Sequence, residues 1–190
     1  MPVTDVDHTR TARLDLDAPT VADLDGLHEI FADPRVWQHL PSGRHLTLDE
    51  TRDMLDRWLA DWAKGGLGPW VVRAAGVPTI LGTAGCSLRA DGAWWNLGYR
   101  FAPAAQGHGY AREAARAAID AARTLKPHVP VVALLLEHNE ASRRVAEDLG
   151  LELRHRGSEG PDTVNGAVRL VMSDRPLTGD LVRRIVDADR

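Results

Sequence analysis

Hydrophobic positions change their spacing three times along the chain. Residues 1–12 are polar and without period, which predicts a loose arm. Arg13-Leu14-Asp15-Leu16 alternates and predicts a short first strand. Thr20 with Asp23 three residues on predicts a helix start, with Val21, Leu24, Leu27 or His28, and Phe31 as its apolar stripe up to Asp33-Pro34. A second helix is expected from Thr47, where Glu50 completes a capping box. Its inner face would be Leu55, Trp58, Leu59 and Trp62, and Gly65-Gly66 would stop it.

The middle of the chain reads as strands. Trp70–Ala74, Ile80–Leu88 and Ala93–Phe101 are joined by short links, Gly76-Val77-Pro78 and Ala90-Asp91-Gly92, so consecutive antiparallel pairing is predicted. In the third strand Ala93, Trp95, Leu97, Tyr99 and Phe101 share one face, and Trp94, Asn96, Gly98 and Arg100 the other. Beyond Pro103 the order becomes helix, strand, helix. The first of these helices, Gly109 to Lys126, is lined by alanines that let it lie close to a sheet. Val131–Leu136 follows as a strand apolar on both faces, and Asn139 caps a helix that ends at Leu149-Gly150. Leu151–His155 and Ala167–Met172 are expected as closing strands, and Leu177–Val186 as a terminal helix. The class is α/β (α+β): a mixed central sheet with an antiparallel N-terminal half and a βαβα C-terminal half. Residues 13–175 are expected to form a single domain, with 176–190 as a terminal helix and tail.

Composition narrows the function classes. A net charge of −4 over 190 residues argues against nucleic acid held by bulk electrostatics. Cys86 is the only cysteine, so neither a disulfide framework nor a thiolate zinc site is expected, and the eight histidines lack metal-ligand spacing. The longest apolar run, Val129 to Leu136, is too short to cross a bilayer, and the N-terminus has no signal-peptide pattern. A cytoplasmic protein without membrane association is the expectation.

Candidate chemistry lies in the strand-to-helix link Gln106-Gly107-His108-Gly109-Tyr110-Ala111-Arg112. Two glycines let the backbone approach a ligand closely, and the helix start presents unpaired N–H groups, which together make a phosphate cradle. A dinucleotide fingerprint would need a third glycine where Arg112 stands, and Glu137 would be its acid. A P-loop is excluded because no Gly-Lys-Ser/Thr follows.

The stretch Gly98-Tyr99-Arg100-Phe101-Ala102-Pro103, the loop Gln106-x-x-Gly109-x-Ala111, Glu113-Ala114, and Asn139-x-x-Ser142-x-x-Val145-x-x-x-Leu149-Gly150 together resemble the GNAT superfamily of N-acetyltransferases. They are similar to its branch of ribosomal-protein N-terminal acetyltransferases, and the element order from Arg13 to Met172 follows that fold. The resemblance implies acetyl-CoA as co-substrate, with its pyrophosphate on the backbone amides of Gly107, His108, Gly109, Tyr110, Ala111 and Arg112, and with Gln106 part of the loop motif. It places the pantetheine arm beside Tyr99 and Phe101, and Asn139 and Ser142 near that arm. Ser142 would protonate the departing thiolate, and the backbone N–H near Tyr99 would receive the oxyanion. Asn96 stands where many relatives carry a glutamate base, leaving Glu137 and His138 as substitutes.

Trp37, Trp94 and Trp95 are expected at the acceptor, which would be an amine-bearing small molecule or a protein N-terminus. Trp58 and Trp62 are read as core. A homodimer fits the resemblance. Two other readings stay open: a catalytically weak CoA-binding sensor of the same fold, and a Rossmann-type NAD-binding oxidoreductase.

Overall fold

The structure, a computed structural model, describes residues 6–158 and 167–188. Residues 1–5 of the expected arm and 189–190 of the expected tail lie outside them. Eight strands form one sheet in the order β1-β2-β3-β4-β5-β6-β8-β7. They are β1 (His8–Arg10), β2 (Leu14–Asp17), β3 (Pro69–Ala74), β4 (Ile80–Arg89), β5 (Trp94–Phe101), β6 (Val131–Leu136), β7 (Glu152–Ser158) and β8 (Val168–Ser173). Every pair is antiparallel except β5–β6. A single parallel pair is incompatible with a doubly wound parallel sheet, and the dinucleotide-binding oxidoreductase is therefore overturned. Five helices complete the described fold: α1 (Leu24–Phe31), α2 (Leu48–Gly65), α3 (Tyr110–Leu125), α4 (Glu140–Asp148) and α5 (Gly179–Ala188).

Register assigns the faces. Trp95, Leu97, Phe101, Ala133, Leu135 and Met172 join the buried alanines of α3 (Ala114, Ala115, Ala118 and Ala122, each 0% exposed) in the main core. Methyl-sized side chains let the α3 backbone approach the sheet, as the alanine run predicts. On the opposite face two smaller cores stand apart. One joins α1 and α2 to Val71 of β3; the other seats Ile185 of α5 over Trp94, Val132 and Val171. The trough between them is where β4, β5 and β6 lack a helical cover.

Two local expectations change. The segment expected to be loose contributes β1, which pairs with β2, and the Val6 carbonyl accepts a 2.8 Å bond from Trp70 Nε1. Polar residues suit this edge strand, because alternation is not needed where neither face is deeply buried. At Thr20 the capping box forms, with Thr20 N–H donating to Asp23 Oδ2 at 2.8 Å, but it opens a 3₁₀ turn (Val21–Asp23) and α1 begins at Leu24. Val21 is consequently 76% exposed and absent from the apolar stripe. At Thr47 the expected box is complete: Thr47 Oγ1 accepts from Glu50 N–H, and Glu50 Oε2 from Thr47 N–H.

Candidate active site

Strands β5 and β6 run side by side for only three residue pairs, from Trp95↔Val131 to Leu97↔Ala133, and then part. Trp95 N–H donates to Pro130 O at 2.9 Å, so odd-numbered residues of β5 direct their backbone polar groups toward β6. Past Leu97 the same parity aims the N–H and C=O of Tyr99 and Phe101 into the opening. Gln106 Nε2 donates to Phe101 O at 3.0 Å and so ties the following loop to the end of β5. The opening continues into a cleft of about 1200 Å³ that runs from the α1 side to the start of α3.

The start of α3 is built from the backbone. Gly107 and Gly109 both have φ of 78°, the left-handed region that glycine enters without strain. Gly109 is the N-cap and supplies no side-chain acceptor, and helical bonding begins with Glu113 N–H to Gly109 O at 3.1 Å. The N–H groups of Tyr110, Ala111 and Arg112 thus have no acceptor within the helix and point out of its positive end. Here sequence reasoning missed Arg13. Its Nη1 donates to His108 O (3.0 Å), its Nε donates to Glu113 Oε2 (2.7 Å), and its guanidinium lies 4.9 Å over the Tyr110 ring. Thr11 Oγ1 adds a 2.6 Å bond to Glu113. Burial opposes ionisation of Glu113, but the bonds from Thr11 and Arg13 outweigh it and hold this carboxyl below its usual range. Partners about a hundred residues away leave no local signal, which is why Arg13 was overlooked. His108 stacks on Tyr110 with ring centroids 5.5 Å apart.

Facing the loop, α4 begins on Asn139, whose Oδ1 accepts from Ser142 N–H at 3.1 Å. Tyr99 Oη donates to the Ser142 carbonyl (2.8 Å) and accepts from Ser142 Oγ (3.0 Å), so strand and helix start are joined by paired hydrogen bonds. Burial pushes the Tyr99 phenol up to about 12, against a smaller lowering by Ser142, so its proton stays on at neutral pH. Tyr99, Phe101, Gln106, Gly107, Gly109, Tyr110, Ala111, Arg112, Asn139 and Ser142 all line the one cleft; His108 sits on the loop beside it.

On the other face of β5, Asn96, Gly98 and Arg100 line the same cleft opposite Ser87, Gly85 and Thr83 of β4. A Cβ on Gly98 would meet nothing within 4 Å, so the floor is open there. Asn96 Oδ1 is buried with no hydrogen-bond partner among the described residues. The Arg100 guanidinium lies 3.5 Å over the Trp37 ring and 5.8 Å over Phe31, and burial lowers its pKa to about 10.

The tryptophans are the main correction. Trp95 (0% exposed) belongs to the core under α3, and Trp94 (2% exposed) is covered by α5, so neither lines the cleft. Burying roughly 200 Å² of each ring is worth about 5 kcal/mol before entropy, and packing accounts for them without a substrate. Trp37 is buried beneath Arg100, which stands between it and the cleft. Glu137 is also removed as a base, because Arg156 holds it by two bonds, 2.6 and 2.9 Å, and keeps it ionised below the usual range. His138 Nε2 lies 2.9 Å from the His39 carbonyl. A carbonyl only accepts, so that nitrogen carries the proton and Nδ1 keeps its lone pair in the neutral ring. No group of three potential metal ligands occurs among the described residues, and no described helix is long and apolar enough to cross a membrane.

Comparison with known proteins agrees with this geometry. The acetyltransferase (GNAT) domain family matches residues 13–152. Among solved structures, an acetyltransferase from Agrobacterium tumefaciens superposes with TM-score 0.71 at 24% identity, covering 88% of this chain and 94% of that one. An acetyltransferase from Salmonella typhimurium that modifies the N-terminal serine of ribosomal protein L7/L12 gives 0.70 at 16%, covering 88% and 97%. The microcin C7 self-immunity acetyltransferase MccE, in complex with acetyl-CoA and AMP, gives 0.70 at 13%, covering 91% and 100%. At these identities the structures share the fold.

Proposed function

The chain belongs to the GNAT acetyltransferase family, and from that premise we propose that it moves an acetyl group directly from acetyl-CoA to a primary amine, on a small molecule or a protein N-terminus. The observation that carries this reading is the continuity of unpaired backbone donors. Those of Tyr99 and Phe101 line the gap between β5 and β6, and those of Tyr110, Ala111 and Arg112 open α3 at its end. A pantetheine arm fits the first set and a pyrophosphate the second.

Acetyl-CoA supplies an activated acyl carbon and a thiolate able to leave. The Tyr99 N–H is positioned as oxyanion donor. Ser142 Oγ–H, resting on Tyr99 Oη, is the proton source for the thiolate, and the Tyr99 hydroxyl orients it through the Ser142 carbonyl. The acceptor must attack as a neutral amine and shed a proton afterwards. Asn96 cannot take that proton but can orient the amine through its unpartnered Oδ1. The carboxylates lining the cleft, Glu140 and Asp148, are paired with Arg144 and Arg112. Of the two cleft-lining histidines, His39 is stacked on Trp37 and made less basic by burial, so the Nδ1 of His138, directly or through water, is the group for the acceptor's proton.

Isothermal titration of acetyl-CoA tests the cofactor half. Micromolar binding, about −8 kcal/mol, is expected. Gly109→Trp should weaken it by more than about a hundredfold, because an indole at a left-handed position fills the cradle. A folded protein that fails to bind acetyl-CoA overturns the reading. The absence of a carboxylate at Asn96 favours one alternative, a CoA-binding sensor; binding without thiol release toward any amine would establish it.

A further inference from the structure

Arg100 is half-buried on the acceptor face of β5, and nothing in the chemistry above uses it. Its guanidinium is held by ring faces, Trp37 at 3.5 Å and Phe31 at 5.8 Å, and by one long 3.4 Å bond to the Val36 carbonyl. Among the described residues no carboxylate lies within ion-pair distance of it. Most other arginines of this protein are paired, including the cleft-lining Arg35 with Asp33 and Arg89 with Asp61. A guanidinium drawn out of water without a counter-ion is costly unless a ligand supplies one. Planar stacking leaves the edge of the guanidinium, where its N–H donors lie, open to a two-oxygen anion.

Resting on the transferase reading, we propose that the acceptor is an amine that also carries a carboxylate or phosphate group, and that Arg100 receives this anion. The spacing agrees. Arg100 follows the open floor at Gly98 by two strand residues, roughly 7 Å, so the anion lies a few bonds from an amine placed over Gly98. The surroundings agree as well. Both carboxylates lining the cleft, Glu140 and Asp148, sit on α4 with arginine partners, away from Arg100 on β5. A purely cationic acceptor would find no unpaired carboxylate among the described residues that line this cleft. An amine whose own anion docks on Arg100 is held over the open floor at Gly98, in position to attack. That partly compensates for asparagine standing at position 96.

Matched acceptors test this: ethanolamine against phosphoethanolamine, and serinamide against serine. Each is titrated into acetyl-CoA-saturated protein with tryptophan fluorescence as one readout and thiol release as the other. The anionic member of at least one pair should bind or turn over about tenfold better than its neutral counterpart, and which pair responds distinguishes phosphate from carboxylate. Arg100→Gln should erase that preference while acetyl-CoA still binds, and Arg100→Lys should restore part of it. Three results overturn the proposal: equal use of both members of every pair, a preference that survives Arg100→Gln, or no response to any anionic amine at millimolar concentration. Loss of acetyl-CoA affinity in Arg100→Gln also overturns it by assigning Arg100 to the coenzyme. Acetyl-CoA binding by the unaltered protein, measured in the same samples, keeps the transferase reading separate from this one.

Discussion

The two halves of the cleft are made of different material. The half that leads to α3 is made of backbone, with glycines at positive φ and amides left over where a strand parts and a helix starts. It is braced by Arg13, Glu113, Gln106 and Tyr99, all of them hydrogen-bonded. The half beneath α1 and α2 is made of side chains, and two of these are incompletely satisfied: Asn96 Oδ1, which has no partner, and Arg100, which has no counter-ion. Backbone donors suit a ligand common to a whole family, since any sequence with the right turns supplies them. Unsatisfied side chains that also line a cleft, unlike the unpartnered indole N–H groups of Trp94 and Trp95 in the cores, suit the ligand of one particular protein, because binding can offset their cost.

Substitutions that touch one half should leave the other alone. After Gly109→Trp, the largest effect is expected at Asn96. Asn96→Leu should lower thiol release toward a good acceptor by about tenfold while acetyl-CoA affinity stays unchanged. Thermal unfolding should stay within about 0.5 kcal/mol or improve, since an unpartnered buried amide contributes nothing to the fold. A destabilised Asn96→Leu protein would mean that this amide serves the scaffold. Arg13→Ala should do the reverse. It frees the His108 carbonyl and loosens the loop, weakening acetyl-CoA several-fold by calorimetry. Its stability cost should stay below about 1 kcal/mol, because the ion pair with Glu113 is half exposed. Acceptor preference in that variant should be untouched.

The smallest effect is that of pH on the acceptor half. His39 is held below its ordinary pKa by burial, then by the charges of Arg100 and His138, and His45 chiefly by burial. In the window below about 6.5 the unfolded chain binds protons that the folded one refuses. Stability should therefore rise with pH up to about 6.5 and then level off. His8, raised by its bond to Asp17, works in the opposite sense from an exposed edge. Arg100→Gln removes one source of repulsion on His39 and should narrow this window, measured as melting temperature against pH in both proteins.

How much of this was legible beforehand follows the same division. The backbone half was foreshadowed by spacing, because the turn glycines Gly107 and Gly109 and the Asn139 cap on Ser142 are local in sequence. The antiparallel run β3-β4-β5 was legible for a similar reason, since Gly76-Val77-Pro78 and Ala90-Asp91-Gly92 are short links, whereas the placing of β8 between β6 and β7 left no local signal. The acceptor half was only half legible. Alternation in β5 put Asn96, Gly98 and Arg100 on one face, but could not tell which side chains of that face would be covered. Trp94 lies on it and is sealed by α5, an element some ninety residues later. Arg100, unlike Arg13, was visible, but the absence of any counter-ion is a fact about the whole fold.

The bond from His138 to the His39 carbonyl joins the segment after β6 to the loop that follows Trp37, and so reaches across the mouth of the cleft. The gap between β5 and β6 is closed at its narrow end by a ladder of three residue pairs and bridged farther on by the Tyr99–Ser142 bonds, whereas the imidazole is a single clasp between two loops. One exposed hydrogen bond is worth about 1 kcal/mol, so the clasp opens readily and the ladder does not. The clasp can therefore open without disturbing the strand pairing, and His138, proposed above to receive the acceptor's proton, would move with it.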